Sequence, residues 1–194
     1  IKTQVGIARI MLQNDQSQQA IALLNDQIKQ HPDSIELKQV YADALWDEGD
    51  VDAALKVMKA INAEHMENPK ALAKAAQMMA SAGEVDMAMD NYHRALSLNP
   101  SCIPALTGLA VKQRADLKHE HAQKMHHLLE SPAIADVSKS SLHNGLAHYF
   151  DGRKAWEQAA DHMADANRLQ WNHCSNRNWD YDKIQHHKTF NSIK

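Results

Sequence analysis

Small and large apolar residues return along this chain every 34 positions. The stretch EVDMAMDNYHRALSLNP, residues 84–100, shows the pattern. Ala88, Tyr92 and Ala95 lie four and three apart, which places them on one face of a helix, and Pro100 closes the stretch. Ala88 has counterparts at Ala54 and Ala20, Tyr92 at Met58 and Leu24, Ala95 at Ile61 and Gln27, and Pro100 at Met66 and Pro32. Earlier in each unit Ala76 answers to Ala42 and Ala8, Met79 to Leu45 and Met11, and Gly83 to Gly49. Three ungapped units follow, 1–34, 35–68 and 69–102. Each predicts two antiparallel helices, with turns at Asp15–Ser17, Gly49–Asp50 and Gly83–Glu84. A hairpin of this length cannot bury its apolar face alone, whereas stacked copies bury a continuous core. In such a stack the alanines let two helices approach closely, and the large residue between them fills the gap toward the next hairpin.

A fourth unit, 103–136, is looser. Leu106, Leu109, Ala110, Ala122 and Leu129 keep the pattern, but His126 stands where a large apolar residue belongs. The segment SPAIADVSKSS, 131–141, then shifts the register, and a fifth unit, 140–173, places Ala147, Phe150, Ala159, Met163 and Ala166 in phase around a turn at Asp151-Gly152. The array therefore spans 1–167. Residues 168–194 carry five Lys/Arg against two Asp, plus Trp171 and Trp179. They predict a basic C-terminal capping helix, with Trp171 or Trp179 covering the end of the fifth unit, or a linker to a downstream domain absent from this sequence.

Composition sharpens this picture. Aromatics make up only 5% of 194 residues, nine are Met, and Gly and Pro number six and five, which suits close helix contact better than a β-sandwich. A net charge of -3 gives no general reason to bind nucleic acid or a membrane surface. No apolar run approaches the ~20 residues of a membrane span. Cys102 and Cys174 form no metal or redox motif, so a reducing, cytoplasmic setting is expected. The first residue is Ile1, so a segment upstream is expected.

The residues at the 34-residue spacing resemble the tetratricopeptide repeat (TPR). That family has a small residue at position 8, a glycine where the first helix ends, small–large–small at positions 20, 24 and 27, and proline at 32. The third unit matches all of these, through Ala76, Gly83, Ala88, Tyr92, Ala95 and Pro100. Gln27 and Met66 depart from the pattern; Asn68-Pro69 instead supplies a helix cap and a first-turn proline. The resemblance implies an all-α fold, an α-solenoid of stacked antiparallel helix pairs in a right-handed superhelix. It also implies that the first helix of each unit lines a concave groove, at Lys2, Val5, Arg9, Leu12 and Gln13, then Glu36, Gln39, Asp43, Trp46 and Asp47, then Lys70, Ala73, Gln77 and Ala80. A subclass of the family clamps a C-terminal carboxylate; Lys70 and Lys74 match its residues, but Val5, Arg9 and Val40 do not.

The second half is similar to the repeat region of bacterial proteins that join TPR units to a sulfotransferase domain. The likeness spans about residues 120–185: a helix ending in Leu-Leu, a Pro/Ala/Ser/Asp linker, Leu142 to Ala147, the run Ala166-Asn167-Arg168-Leu169, and Tyr181-Asp182. It departs at Gly145 and His148. The likeness implies a sulfotransferase domain downstream, opening on an Arg-Ser-Gly-Thr-type loop that holds the donor's 5′-phosphosulfate through backbone N–H groups. Residues 1–194 carry no such loop, and none of the six glycines lies within six positions of another. These residues are therefore expected to have no catalytic residues, to bind no cofactor and to transfer no sulfuryl group.

Other candidate chemistry is thin. His119, His121, His126 and His127 cluster in the fourth unit, and His119 and His126, seven apart, could share a zinc or nickel ion. Neither they nor His173-Cys174 with His186-His187 match a known metal spacing, and solvated surface histidines are the expectation. Ser141 and His143, two apart on a helix, point to different faces and form no dyad. The expected function is a protein–protein interaction scaffold. Its site would be the groove residues Arg9, Gln39, Asp43, Trp46, Lys70 and Gln77, with Trp46 exposed between two carboxylates. The partner would be a peptide or protein segment, or the chain's own downstream domain. The alternative is a stand-alone TPR adaptor or oligomerisation module without a linked enzyme.

Overall fold

The structure, a computed structural model, describes residues 2–64 and 67–175. Met66, Arg177, Trp179, Tyr181-Asp182, Lys183 and His186-His187 lie outside them. Among the described residues every regular element is a helix, and none is long and apolar enough to cross a membrane. The helices are α1 (Lys2–Gln13), α2 (Ser17–Gln30), α3 (Ile35–Asp47), α4 (Val51–Glu64), α5 (Pro69–Ser81), α6 (Val85–Leu98), α7 (Ile103–Gln113), α8 (His119–Leu129), α9 (Asp136–Gly152) and α10 (Trp156–Ser175), with a short 3-10 turn at Arg114–Asp116. The fold is all-α, a TPR-like solenoid of antiparallel helix pairs. It divides into two compact units, 1–109 and 110–194, at a boundary inside α7.

The first unit follows the sequence period closely. Ala8, Ala42 and Ala76 on the first helices, and Ala20, Ala54 and Ala88 on the second, are fully buried. Leu24, Met58 and Tyr92 fill the space between hairpins and are buried too. The ring of Tyr92 reaches the backbone of Gly108 on α7: a Cβ placed on that glycine would lie 2.3 Å from Tyr92 Cζ. The glycine therefore makes room for the large residue of the preceding hairpin. Where the family pattern was broken, the structure supplies the expected substitute. Asn68 Oδ1 accepts hydrogen bonds from the Lys70 and Ala71 amides at 3.1 and 3.2 Å, and Pro69 opens α5.

The turns share one conformation that the sequence shows only in part. Gly49 and Gly83 have φ of 91° and 89°, and Asp15 and Lys154, at the same position of their units, have φ of 57° and 61°. The residue after each donates a hydrogen bond five residues back: Gln16 N to Met11 O at 2.9 Å, Asp50 N to Leu45 O at 2.9 Å, Glu84 N to Met79 O at 2.9 Å and Ala155 N to Phe150 O at 3.0 Å. This is the Schellman closure of a helix C-terminus, which needs one left-handed residue and favours glycine there.

The second unit departs from the period at three points. Residues 136–141, read as part of a linker, already belong to α9, which starts at Asp136. α10 runs unbroken through Arg168, where the basic tail was expected to begin. Trp171 does not cover the end of the unit; it is 63% exposed. Its position on α10 turns it away from α9, against which Ala166 is buried. The core here is Leu117, Ala122, Met125, Leu142, Leu146, Ala147, Tyr149 and Ala166. Ser140, also buried, donates from Oγ to Ala166 O at 2.8 Å and so ties α9 to α10.

Candidate functional site

In the first unit three consecutive first helices line one open depression of about 280 Å³. From α1 comes Leu12; from α3 come Asp43, Trp46 and Asp47; from α5 come Lys74, Gln77, Met78 and Ser81. The 34-residue period brings these side chains together, since equivalent positions of stacked hairpins face the same way. Asp43 and Asp47 are one helical turn apart, and Trp46 lies between them in sequence. Lys74 Nζ pairs with Asp43 Oδ1 at 2.8 Å. The Asp47 carboxyl is pushed above its ordinary value, first by burial and then by the like charge of Asp43, with Lys74 acting in the opposite direction.

Of the six groove residues read from the sequence, the structure gathers Asp43, Trp46 and Gln77 in this depression. Arg9, Gln39 and Lys70 stand outside its lining. Arg9 pairs with Glu36 at 3.5 Å across α1 and α3, Gln39 is half-buried, and Lys70 is exposed at the start of α5. Trp46 is half-buried rather than exposed, because Leu12 and Met78 flank the same depression. Val5 and Ala73, also read as groove-facing, are buried, Val5 in a cluster with Leu37 and Val40. Lys74, at position 6 of its unit, enters the sequence reading only as a match to the carboxylate clamp, and Met78 and Ser81, at positions 10 and 13, do not enter it. A helix face wider than the residues used in the third unit includes all three.

The second unit assembles a ring cluster that no sequence spacing announced. His126 from α8, His143 from α9 and Phe150 from α9 meet around His162 of α10. His143 Nδ1 and His162 Nδ1 are 2.9 Å apart, so one donates to the other. Phe150 stacks on His162 with centroids 5.4 Å apart and planes 6° from parallel, and His126 lies 5.3 Å from His162. All three imidazoles are held below their ordinary pKa, His162 to about 4, mainly by burial. His126, at the large-residue position of its unit, thus packs on rings as an apolar side chain would. His119 turns elsewhere, its Nδ1 3.1 Å from the Tyr149 hydroxyl. Among the described residues no group of three or more His, Cys, Asp or Glu is arranged to hold a metal ion. Ser141 donates to Val137 O at 3.1 Å, away from His143.

No protein-family profile matches the chain, and no curated protein matches it in sequence. Solved structures do match. One is a crystal structure of the kinesin light chain TPR-like repeats ascribed to Podosopora anserina, 19% identical, with 87% of this chain and 94% of that chain covered and a TM-score of 0.60. Another is MamA from Desulfovibrio magneticus RS-1, 16% identical, covering 88% and 95%, with a TM-score of 0.59. A further crystal structure of MamA is 15% identical over 87% and 97%, with a TM-score of 0.56. At these identities the likeness is one of fold, and in fold the chain is a TPR-like helical repeat protein.

Proposed function

We propose that this chain is a protein-interaction scaffold whose first unit holds an extended protein segment in the depression on α1, α3 and α5. The observation that carries this reading is the depression itself. Three stacked helices contribute an aromatic side chain, two aliphatic ones and charges of both signs to one open site. Binding anchors are enriched in tryptophan, in pockets rimmed by polar groups. A bound segment contacting Trp46 would lose roughly 2 kcal/mol on Trp46→Ala, the usual scale for such an anchor.

Site-directed photo-crosslinking in cells tests this whatever the partner is. A photoreactive phenylalanine analogue at Gln77, exposed and in the depression, is expected to capture a defined set of proteins that the same analogue at Gln158, exposed on α10, does not. Identical adducts at both positions, or none at Gln77, would refute the reading. The proposed link to a downstream sulfotransferase, and with it a bacterial source, rests on the motifs between residues 120 and 185, and reading the gene past the codon for Lys194 tests it; the proposed cytoplasmic setting rests on Cys102 and Cys174, which form no disulfide or metal motif.

A further inference from the structure

We infer that the depression at Trp46 takes a lysine or arginine side chain of the bound segment, its aliphatic stem along Leu12, Trp46 and Met78 and its cationic head at Asp47. This rests on the groove reading and names what the groove selects. One wall of the site is apolar and comes from three different helices. Long basic side chains bury their stems on such surfaces while the head stays hydrated, and an indole face adds cation–π attraction.

The charges favour the same occupant. Asp43 and Asp47 share one face of α3, and the single ammonium in the lining, Lys74, lies 2.8 Å from Asp43. Asp15, at the end of α1, adds a third negative charge acting on Asp47. The neighbouring cation of α1, Arg9, is engaged with Glu36 at 3.5 Å. Residues 1–109 as a whole carry nine Lys/Arg against fourteen Asp/Glu. An acidic segment would add to this surplus, and a purely apolar one would strip water from carboxylates and offer nothing in return. A guanidinium or ammonium relieves the repulsion between Asp43 and Asp47.

The test uses the full chain and a displayed library of random eight-residue peptides. Enriched peptides are then synthesised and their affinities measured by fluorescence polarisation. We expect a consensus with Lys or Arg at one fixed position, binding lost in Trp46→Ala, and weakening on replacement of that basic residue by norleucine. Asp47→Asn should weaken binding about fivefold, the scale of a partly exposed ion pair. Lys74→Gln should tighten it, because Asp43 is freed to serve the incoming cation, and added salt should weaken it. Asp47 is exposed and the Lys74 side chain is partly exposed, so these two variants remain informative even if Trp46→Ala loses stability. Peptides that require Trp46 but carry no basic residue overturn the cationic occupant and leave the groove reading standing. Basic peptides indifferent to both Asp47→Asn and Lys74→Gln also overturn it. A library yielding no peptide that depends on Trp46 overturns both.

Discussion

Replacing Gly108 by alanine tests the packing between the third hairpin and the helix that follows it. The new methyl carbon would lie 2.3, 2.5 and 2.6 Å from Cζ, Cε1 and Oη of Tyr92. Ordinary contact between carbon atoms is about 3.5–4.0 Å, so the ring must retreat by roughly 1 Å or more. It has little room: Tyr92 is 3% exposed, and Ala88, Ala95, Leu106 and Leu109 nearby are fully buried. Overpacking of this kind costs about 1–3 kcal/mol. Alanine in place of glycine within a helix returns about 1 kcal/mol of that. The net expectation is a loss of up to about 2 kcal/mol, measured by urea denaturation followed by circular dichroism. A double-mutant cycle isolates the steric part. With Tyr92→Leu already in place the ring is gone, and Gly108→Ala should then stabilise by up to about 1 kcal/mol. A stabilising effect of the same size in both backgrounds would refute the idea that Gly108 exists to admit Tyr92.

Other expectations follow from the same structure. Asn68→Ala should cost about 1 kcal/mol, because Oδ1 caps two amides of α5, and Asn68→Asp should preserve most of it. Lys154→Gly should stabilise by about 1 kcal/mol by removing a side chain from a left-handed residue, whereas Gly83→Ala should destabilise by at least as much; effects of the same sign would sink the shared-turn argument. Because His126, His143 and His162 are held below 6.5 when folded, the unfolded chain binds more protons as the pH falls. Their contribution is complete above pH 6.5 and should be lost progressively toward about 4, and the melting temperature should fall over that window. The variant His162→Phe should flatten this dependence; an unchanged slope would show that the ring cluster does not govern it.

How much of this could be read from the chain depends on whether the interaction is local or recurrent. The helices, the turns at Gly49 and Gly83 and the Asn68 cap are decided within a few residues, so the amino-acid order alone determines them. The buried alanines at 8, 20, 42, 54, 76 and 88 were legible because stacking repeats one contact, and a repeated contact leaves a period. By the same route Asp43, Trp46 and Gln77 could be placed on one face. What the sequence could not tell was how neighbouring side chains settle among themselves. Lys74 turns to Asp43, Arg9 to Glu36, and Leu12 and Met78 flank Trp46, because each side chain takes the partner that packing leaves within reach. The turn at Asp15 was legible, but the left-handed conformation of Asp15 and Lys154 was not, because neither residue is the glycine that advertises it. The meeting of His126, His143 and His162 joins three helices outside any period, so only the tertiary structure, which fixes how α8, α9 and α10 pack, decides that three polar rings share one site, His143 and His162 half-buried and His126 at its exposed edge.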